Sequence, residues 1–419
     1  MRFGFLFAVT SLALFAAEKT PMPAGLPMAS PESVGMSSQR LQRIHAFIQE
    51  YIDTNQIAGA VTLVARKGKV VHFEAQGWRY KEENQPMERD DIFSLASMTK
   101  PIASTALMML WEEGKFLLDD PISKWLPGYA QKTVLDPLTA QRVPAIRPIT
   151  VRQVLTHTSG LSLGTPGAEG ERPKTLMEAI EKAAPVPLAF QPGDRWQYGS
   201  STDYVAALVE KISGLNMDQF TKERIFPALG MTDTQYNIPR EKLNRVAAIY
   251  HPDKDGKIVL TRKPEYHEPT AYFAGIGGLN GTASDYFRFA QMLLNEGEYE
   301  GKRLLGRMTV DMMITNQIGA GKPVYIRGPG YGFGLGFAVL TDPSKSPDAL
   351  SPGTFTWGGA NGTLFWIDPV EELIGILMIQ INPYSHFNIR PLYSSVVSQA
   401  VVDSYGGQKP RIQGYDTPH

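Results

Sequence analysis

The chain has 419 residues with apolar, charged and glycine-plus-proline contents near globular averages, enough to bury a large core and divide into two lobes. Its 41 basic and 42 acidic residues leave a formal charge of -1, which excludes the global field that draws nucleic acid or an anionic membrane and leaves small molecules as partners. Cysteine is absent, which excludes disulfides, thiolate metal sites and a cysteine nucleophile.

Met1-Arg2 followed by the apolar run 3–17 reads as a signal peptide over 1–17, cut after Ala13 or Ala17, and implies an exported protein, periplasmic or secreted. Residues 18–36 form a Pro-rich tether. No later run reaches the roughly 18 uninterrupted apolar residues of a membrane span, so no stable membrane insertion is expected. Leu41, Ile44, His45 and Ile48 recur at helical spacing over 37–53, with His45 expected to be packed on that face. The β-rich runs 60–65 and 70–75 meet at Arg66-Lys67-Gly68-Lys69, a hairpin signal.

From Thr99 the pattern turns helical, with Ile102, Ala106, Met109 and Leu110 on one stripe, and Thr150 caps a short helix over 151–155. Helical signals continue over 175–184, 202–213, 217–225 and 284–295. Strand signals return over 334–339, 363–367 and 373–380, ahead of a terminal helix over 390–405. The expected fold class is α+β. Residues 37–95 with 300–408 form an α/β lobe, residues 96–299 a mostly helical lobe, and a cleft lies between them.

Ser97-Met98-Thr99-Lys100 is an SxxK sequence at the start of the Thr99 helix. A chain of this length contains about one such match by chance, so its value lies in context. Residues three apart on a helix share a face, which puts the Lys100 amine in reach of the Ser97 hydroxyl. A helix start also supplies oriented N–H groups where an anionic intermediate would form. A serine hydroxyl needs a proton acceptor to become a nucleophile. Tyr198-Gly199-Ser200, following a Gly/Pro-rich loop and preceding a helix, offers a phenol as a second proton carrier.

Together, Ser97-Met98-Thr99-Lys100, Leu155-Thr156-His157-Thr158-Ser159-Gly160-Leu161, Tyr198-Gly199-Ser200, Gly277-Gly278-Leu279 and Trp357-Gly358-Gly359 resemble, in order and spacing, the serine β-lactamase and penicillin-binding protein superfamily. Within it the chain is most similar to family VIII carboxylesterases. The resemblance implies a β-lactamase-like antiparallel sheet flanked by helices, with a helical lobe attached. It implies Ser97 as the acylated nucleophile, Lys100 as its base or relay and Tyr198 as the acid/base for the leaving group and the water. It also implies an oxyanion hole from the backbone N–H groups of Ser97 and Ala360, the latter on an edge strand facing the nucleophile. Ser200, Trp357, Gly358 and Gly359 are the expected substrate contacts, the two glycines allowing substrate to approach the strand closely. Where β-lactamases carry a Lys or His, this chain has Trp357, and an indole cannot pair with a carboxylate. The implied function is hydrolysis of small, short-chain carboxylic esters, with no cofactor. A β-lactamase or D-alanyl peptidase, an acyltransferase and a non-catalytic binding protein are the rival readings.

Gly160-Leu161-Ser162-Leu163-Gly164 matches the GxSxG elbow of α/β-hydrolases, but an elbow needs a strand before it, and here a helix precedes. The seven histidines show no metal-binding spacing. His157 is expected to be a structural hydrogen-bonder. Trp196, Tyr272, Phe273, Tyr331, Phe333 and Trp357 are candidate pocket walls.

Overall fold

The computed structural model describes residues 25–136, 138–162 and 172–404. The expected signal peptide, the first part of the tether and Tyr405 therefore lie outside the described residues. The Ser37 hydroxyl accepts the Arg40 N–H, and helix α1 (Ser38–Asp53) runs from that cap with Leu41, Ile44 and Ile48 buried on one stripe. His45 is exposed rather than packed, and its Nδ1 meets Glu74 Oε1 at 2.8 Å. One residue past Ile44 turns the helix by roughly 100°, enough to carry the imidazole off the apolar arc.

Helix α2 (Thr99–Glu112) is expected to bury one stripe, yet every residue from Thr99 to Leu110 is buried. It is enclosed on all sides, which its mostly apolar sequence permits, with Thr99, Lys100, Ser104 and Thr105 buried among the apolar residues. The helices α3 (Val151–Leu155), α4 (Leu176–Ala183), α5 (Ser201–Ser213), α6 (Met217–Arg224) and α7 (Phe226–Leu229) follow, with α5 packed on α2, α3, α4 and α6. Thr150 and Gln153 close α3 with a reciprocal capping box. Next come α8 (Ala283–Leu294), α9 (Arg307–Ile314) and α10 (Ile389–Ser398). The terminal helix stops at Ser398 rather than near 405, because Ser37 N–H takes the Ala400 carbonyl and Val401 bridges Met36.

The sheet is built from both ends of the chain. Strands β1 (Gly59–Arg66) and β2 (Lys69–Tyr80) turn at Lys67-Gly68, both at positive φ as a tight two-residue hairpin requires. With β3 (Gln85–Pro86), β4 (Tyr331–Phe333), β5 (Ala338–Leu340), β6 (Phe355–Gly358), β7 (Leu364–Asp368) and β8 (Leu373–Met378) they run in the order β4-β5-β6-β7-β8-β1-β2-β3. All neighbours are antiparallel, and β8 closes on β1 with Val61 opposite Met378. Successive side chains of β7 point to opposite faces. Phe365 packs on Tyr286 of α8 at 4.9 Å, and Trp366 on Tyr393 of α10 at 5.5 Å. Covered on both faces, β1, β7 and β8 are buried throughout, which is why they read as near-continuous apolar runs.

The strand expected over 334–339 is instead a hairpin, with β4 and β5 flanking a turn in which Gly334 N–H bonds to Phe337 O at 2.8 Å. Gly336 takes φ 101° there, and a Cβ on it would strike Ser104 of α2. The sheet edge thus lies hard against the central helix that begins beside Ser97.

Candidate active site

Phe93–Ser94 pairs with Asn280–Gly281, and Leu95 N–H bonds to Leu279 O at 2.9 Å, pinning the chain just ahead of Ser97. Ala96 then takes φ 46°, a left-handed conformation that costs a non-glycine residue about 1–2 kcal/mol. Ser97 follows in the 3-10 turn Ala96–Met98 that leads into α2. One turn on, Lys100 Nζ donates to Ser97 Oγ at 3.0 Å and to Ile276 O at 2.9 Å. Its side chain belongs to a residue only 3 % exposed.

Tyr198 arrives from the loop before α5, and its hydroxyl donates to Ser97 Oγ at 2.7 Å. The phenol ring lies under Lys100 Nζ at 4.7 Å and packs on Trp357 at 5.2 Å and on His157 at 5.1 Å. Its backbone N–H bonds to the Tyr325 hydroxyl at 3.2 Å. Hydroxyl, amine and phenol from two distant stretches thus meet at one oxygen. Such an arrangement can strip a proton from Ser97 and return it to a leaving group.

Two buried ionisable groups flank this cluster. Asp203 of α5 accepts the Ile276 N–H at 3.1 Å, and so holds the residue whose carbonyl receives Lys100. Burial raises its carboxyl to about 6, opposed by the Ile276 N–H and the Lys100 charge. Burial pushes His157 down to about 3, and the Lys100 charge adds to it, so the imidazole is neutral. His157 makes structural hydrogen bonds through its backbone, where Gln197 N–H donates to His157 O at 3.0 Å, while among the described residues its buried ring Nδ1 has no partner.

Trp357, Gly358 and Ala360 line a cleft of about 100 Å³ beside Ser97, with Tyr198, Tyr384 and Arg390. Strand β6 lies third from the sheet edge, not at it as expected. However, β5 pairs only with Phe355 and Thr356, so Trp357 and Gly358 run past its end and form a local edge. Among the described residues, neither the Ser97 nor the Ala360 N–H has a backbone acceptor. Gly359 lines the cleft as well, and the missing Cβ atoms of both glycines also leave room for neighbouring protein atoms. A Cβ on Gly358 would lie 2.8 Å from Arg390 Cζ, and one on Gly359 would lie 2.5 Å from Leu95 O.

A family model described as Beta-lactamase matches residues 44–394. The chain belongs to the Beta-lactamase family. This family member is 35% identical to protein Rv1367c of Mycobacterium tuberculosis over 365 residues, covering 81% of this chain and 89% of the relative. It is 30% identical to esterase EstB of Burkholderia gladioli over 369 residues, covering 80% and 89%. Among solved structures it resembles EstCE1, a hydrolase with promiscuous acyltransferase activity, with a TM-score of 0.74 and 26% identity over 87% of this chain and 99% of that one. The fold is β-lactamase-like, and the family is one of serine hydrolases with esterase relatives.

In this Beta-lactamase family member Ser200 stands at the entrance of α5 and does not line the cleft. Ser162 is likewise outside it, exposed, with its carbonyl taking the Tyr204 hydroxyl; Leu163 and Gly164 of its GxSxG match lie outside the described residues. Of the candidate aromatic walls only Trp357 lines the cleft, while Trp196 and Phe333 back it. Sequence reasoning misses Ile326, Arg327, Tyr384 and Arg390, which also line it. Two of these residues, Arg327 and Arg390, carry guanidiniums. Both are committed within the protein, Arg327 to Asp348 at 3.1 Å and Arg390 to carbonyls. A charged residue inside the apolar periodicity of 389–397 is the one signal that marks Arg390 in the sequence.

Proposed function

We propose that the chain is a carboxylesterase that hydrolyses small, short-chain esters through an acyl-enzyme on Ser97. The observation that carries this reading is the double contact at Ser97 Oγ, with Lys100 Nζ at 3.0 Å and Tyr198 Oη at 2.7 Å. Ser97 Oγ attacks the ester carbonyl and its proton passes to the Lys100/Tyr198 pair. The carbonyl oxygen becomes an anion held by the N–H groups of Ser97 and Ala360. Collapse expels the alcohol, which leaves with the proton from that pair. Water, deprotonated by the same pair, then attacks the acyl carbonyl; collapse frees the acid as the pair returns that proton to Ser97 Oγ. The cleft beside Ser97 is small, about 100 Å³, which favours a short acyl group. The similarity to an esterase and to a hydrolase with acyl-transfer activity supports the same chemistry.

The test uses p-nitrophenyl butyrate and a fluorophosphonate label on wild type, Ser97→Ala and Ser162→Ala. Turnover and label should vanish in the Ser97 variant and persist in the Ser162 variant. Full activity of Ser97→Ala overturns the reading. Transfer to an alcohol in place of water is the second reading, favoured by the activity named for EstCE1. Adding a primary alcohol and measuring the new ester against free acid separates the two. Turnover of a chromogenic cephalosporin at comparable efficiency would mean a promiscuous enzyme, and a clear preference for it a β-lactamase.

A further inference from the structure

The turn at 359–363 carries the Ala360 N–H and is stitched by two bonds of its own, Gly359 N–H to Thr363 O at 2.9 Å and Gly362 N–H to Gly359 O at 3.1 Å. Three of its carbonyls face inward, and all three accept from one side chain of α10. Arg390 Nε donates to Gly362 O at 3.3 Å, and Nη2 donates to Thr363 O at 2.6 Å and to Gly359 O. Nη1 donates to the Tyr384 hydroxyl. Four of the five guanidinium N–H groups are thereby used, in the planar fork that no lysine can copy.

Arg390 is 9 % exposed and has no carboxylate partner among the described residues. Burying a guanidinium without a counter-charge is costly, so its retention calls for a role that carbonyl contacts serve. The strand beside it accommodates that role: Gly358 lacks the Cβ that would lie 2.8 Å from Arg390 Cζ.

We infer that Arg390 is a positioning residue that clamps the 359–363 turn and so aims the Ala360 N–H at the developing oxyanion. The inference rests on the Ser97 acyl-enzyme reading. A shift of about 1 Å in such a donor costs about 10²-fold in rate, and losing the donor costs about 10²–10³-fold.

The experiment compares full-length wild type, Arg390→Met and Arg390→Lys. Arg390→Met should lower kcat on p-nitrophenyl butyrate about 10²-fold with KM little changed. Arg390→Lys keeps the charge and loses the fork, and should fall nearly as far. A phenylboronic acid, whose adduct with Ser97 is tetrahedral and anionic, should lose affinity by the same factor as kcat/KM. Amide hydrogen exchange over 359–363 should quicken in both variants. A wild-type kcat in Arg390→Lys overturns the clamp, and so does a loss of kcat without loss of boronate affinity. If wild type is not acylated at Ser97, the esterase reading fails by itself, while unchanged exchange over 359–363 in both variants would dismiss the clamp separately.

Discussion

Replacing Tyr198 with phenylalanine deletes one oxygen, the one that lies 2.7 Å from Ser97 Oγ, and leaves the ring in place. The ring's contacts with Trp357 and His157 and the Tyr198 N–H bond to Tyr325 do not involve that oxygen. The fold should therefore lose only one hydrogen bond, about 1 kcal/mol. Catalysis should lose much more. A positioned proton carrier contributes about 10²–10⁴-fold, and the middle of that range, about 10³-fold, equals about 4 kcal/mol of transition-state stabilisation. Lys100 still reaches Ser97, so residual acylation should remain above that of Ser97→Ala. Stopped-flow release of p-nitrophenol with enzyme in excess measures the acylation step directly, and thermal unfolding checks the fold. A fall of less than about tenfold in a stable Tyr198→Phe protein would refute the assignment of the phenol as proton carrier.

Three further perturbations test the surroundings of the site. Burial holds the Asp203 carboxyl at about 6 against an ordinary 3.8, so the native state binds more protons than the unfolded chain between those values. Stability should fall as pH rises from about 4 to about 6, by about 3 kcal/mol from this group, and Asp203→Asn should flatten the dependence of Tm on pH in that window; parallel curves would exclude it. His157, driven to about 3 by burial, is neutral at working pH. His157→Asn, which suits the φ of 57°, should leave the acid limb of kcat/KM intact while costing about 2 kcal/mol of packing, and loss of that limb would contradict the neutral assignment. Gly358→Ala would press a methyl against Arg390 and Thr363 at 2.8 Å, costing about 1–3 kcal/mol and lowering kcat, which thermal unfolding and p-nitrophenyl ester turnover would register.

What depends on neighbours along the chain is legible from the sequence. The Thr150 cap, the Lys67-Gly68 turn and the three-residue spacing of Ser97 and Lys100 are local, and each appears where its chemistry requires. Tyr198 is also reachable, because a Gly/Pro-rich loop before a helix marks a side chain that can point into a cleft. What depends on contacts between distant residues is not legible. The run 334–339 alternates like a strand, yet α2 leaves room only for a turn at Gly336. The apolar pattern of the last helix continues past Ser398, yet the Ser37 N–H donates to the Ala400 carbonyl. Glycines beside the cleft suggest room for substrate, and nothing near Gly358 in the sequence shows that Arg390, 32 residues on, also packs against it.

The pairing of Val61 with Met378 also has a meaning for synthesis. At about 5–20 residues per second, the first hairpin waits some tens of seconds with one border bare before its partner leaves the ribosome. From the synthesis of Tyr198 until that of Ala360 the nascent polypeptide holds serine, lysine and tyrosine, yet lacks the segment that would receive the charge they create. Shielding by a chaperone would be most valuable then, and a product shortened before residue 373 would be both inert and prone to stick to its own kind.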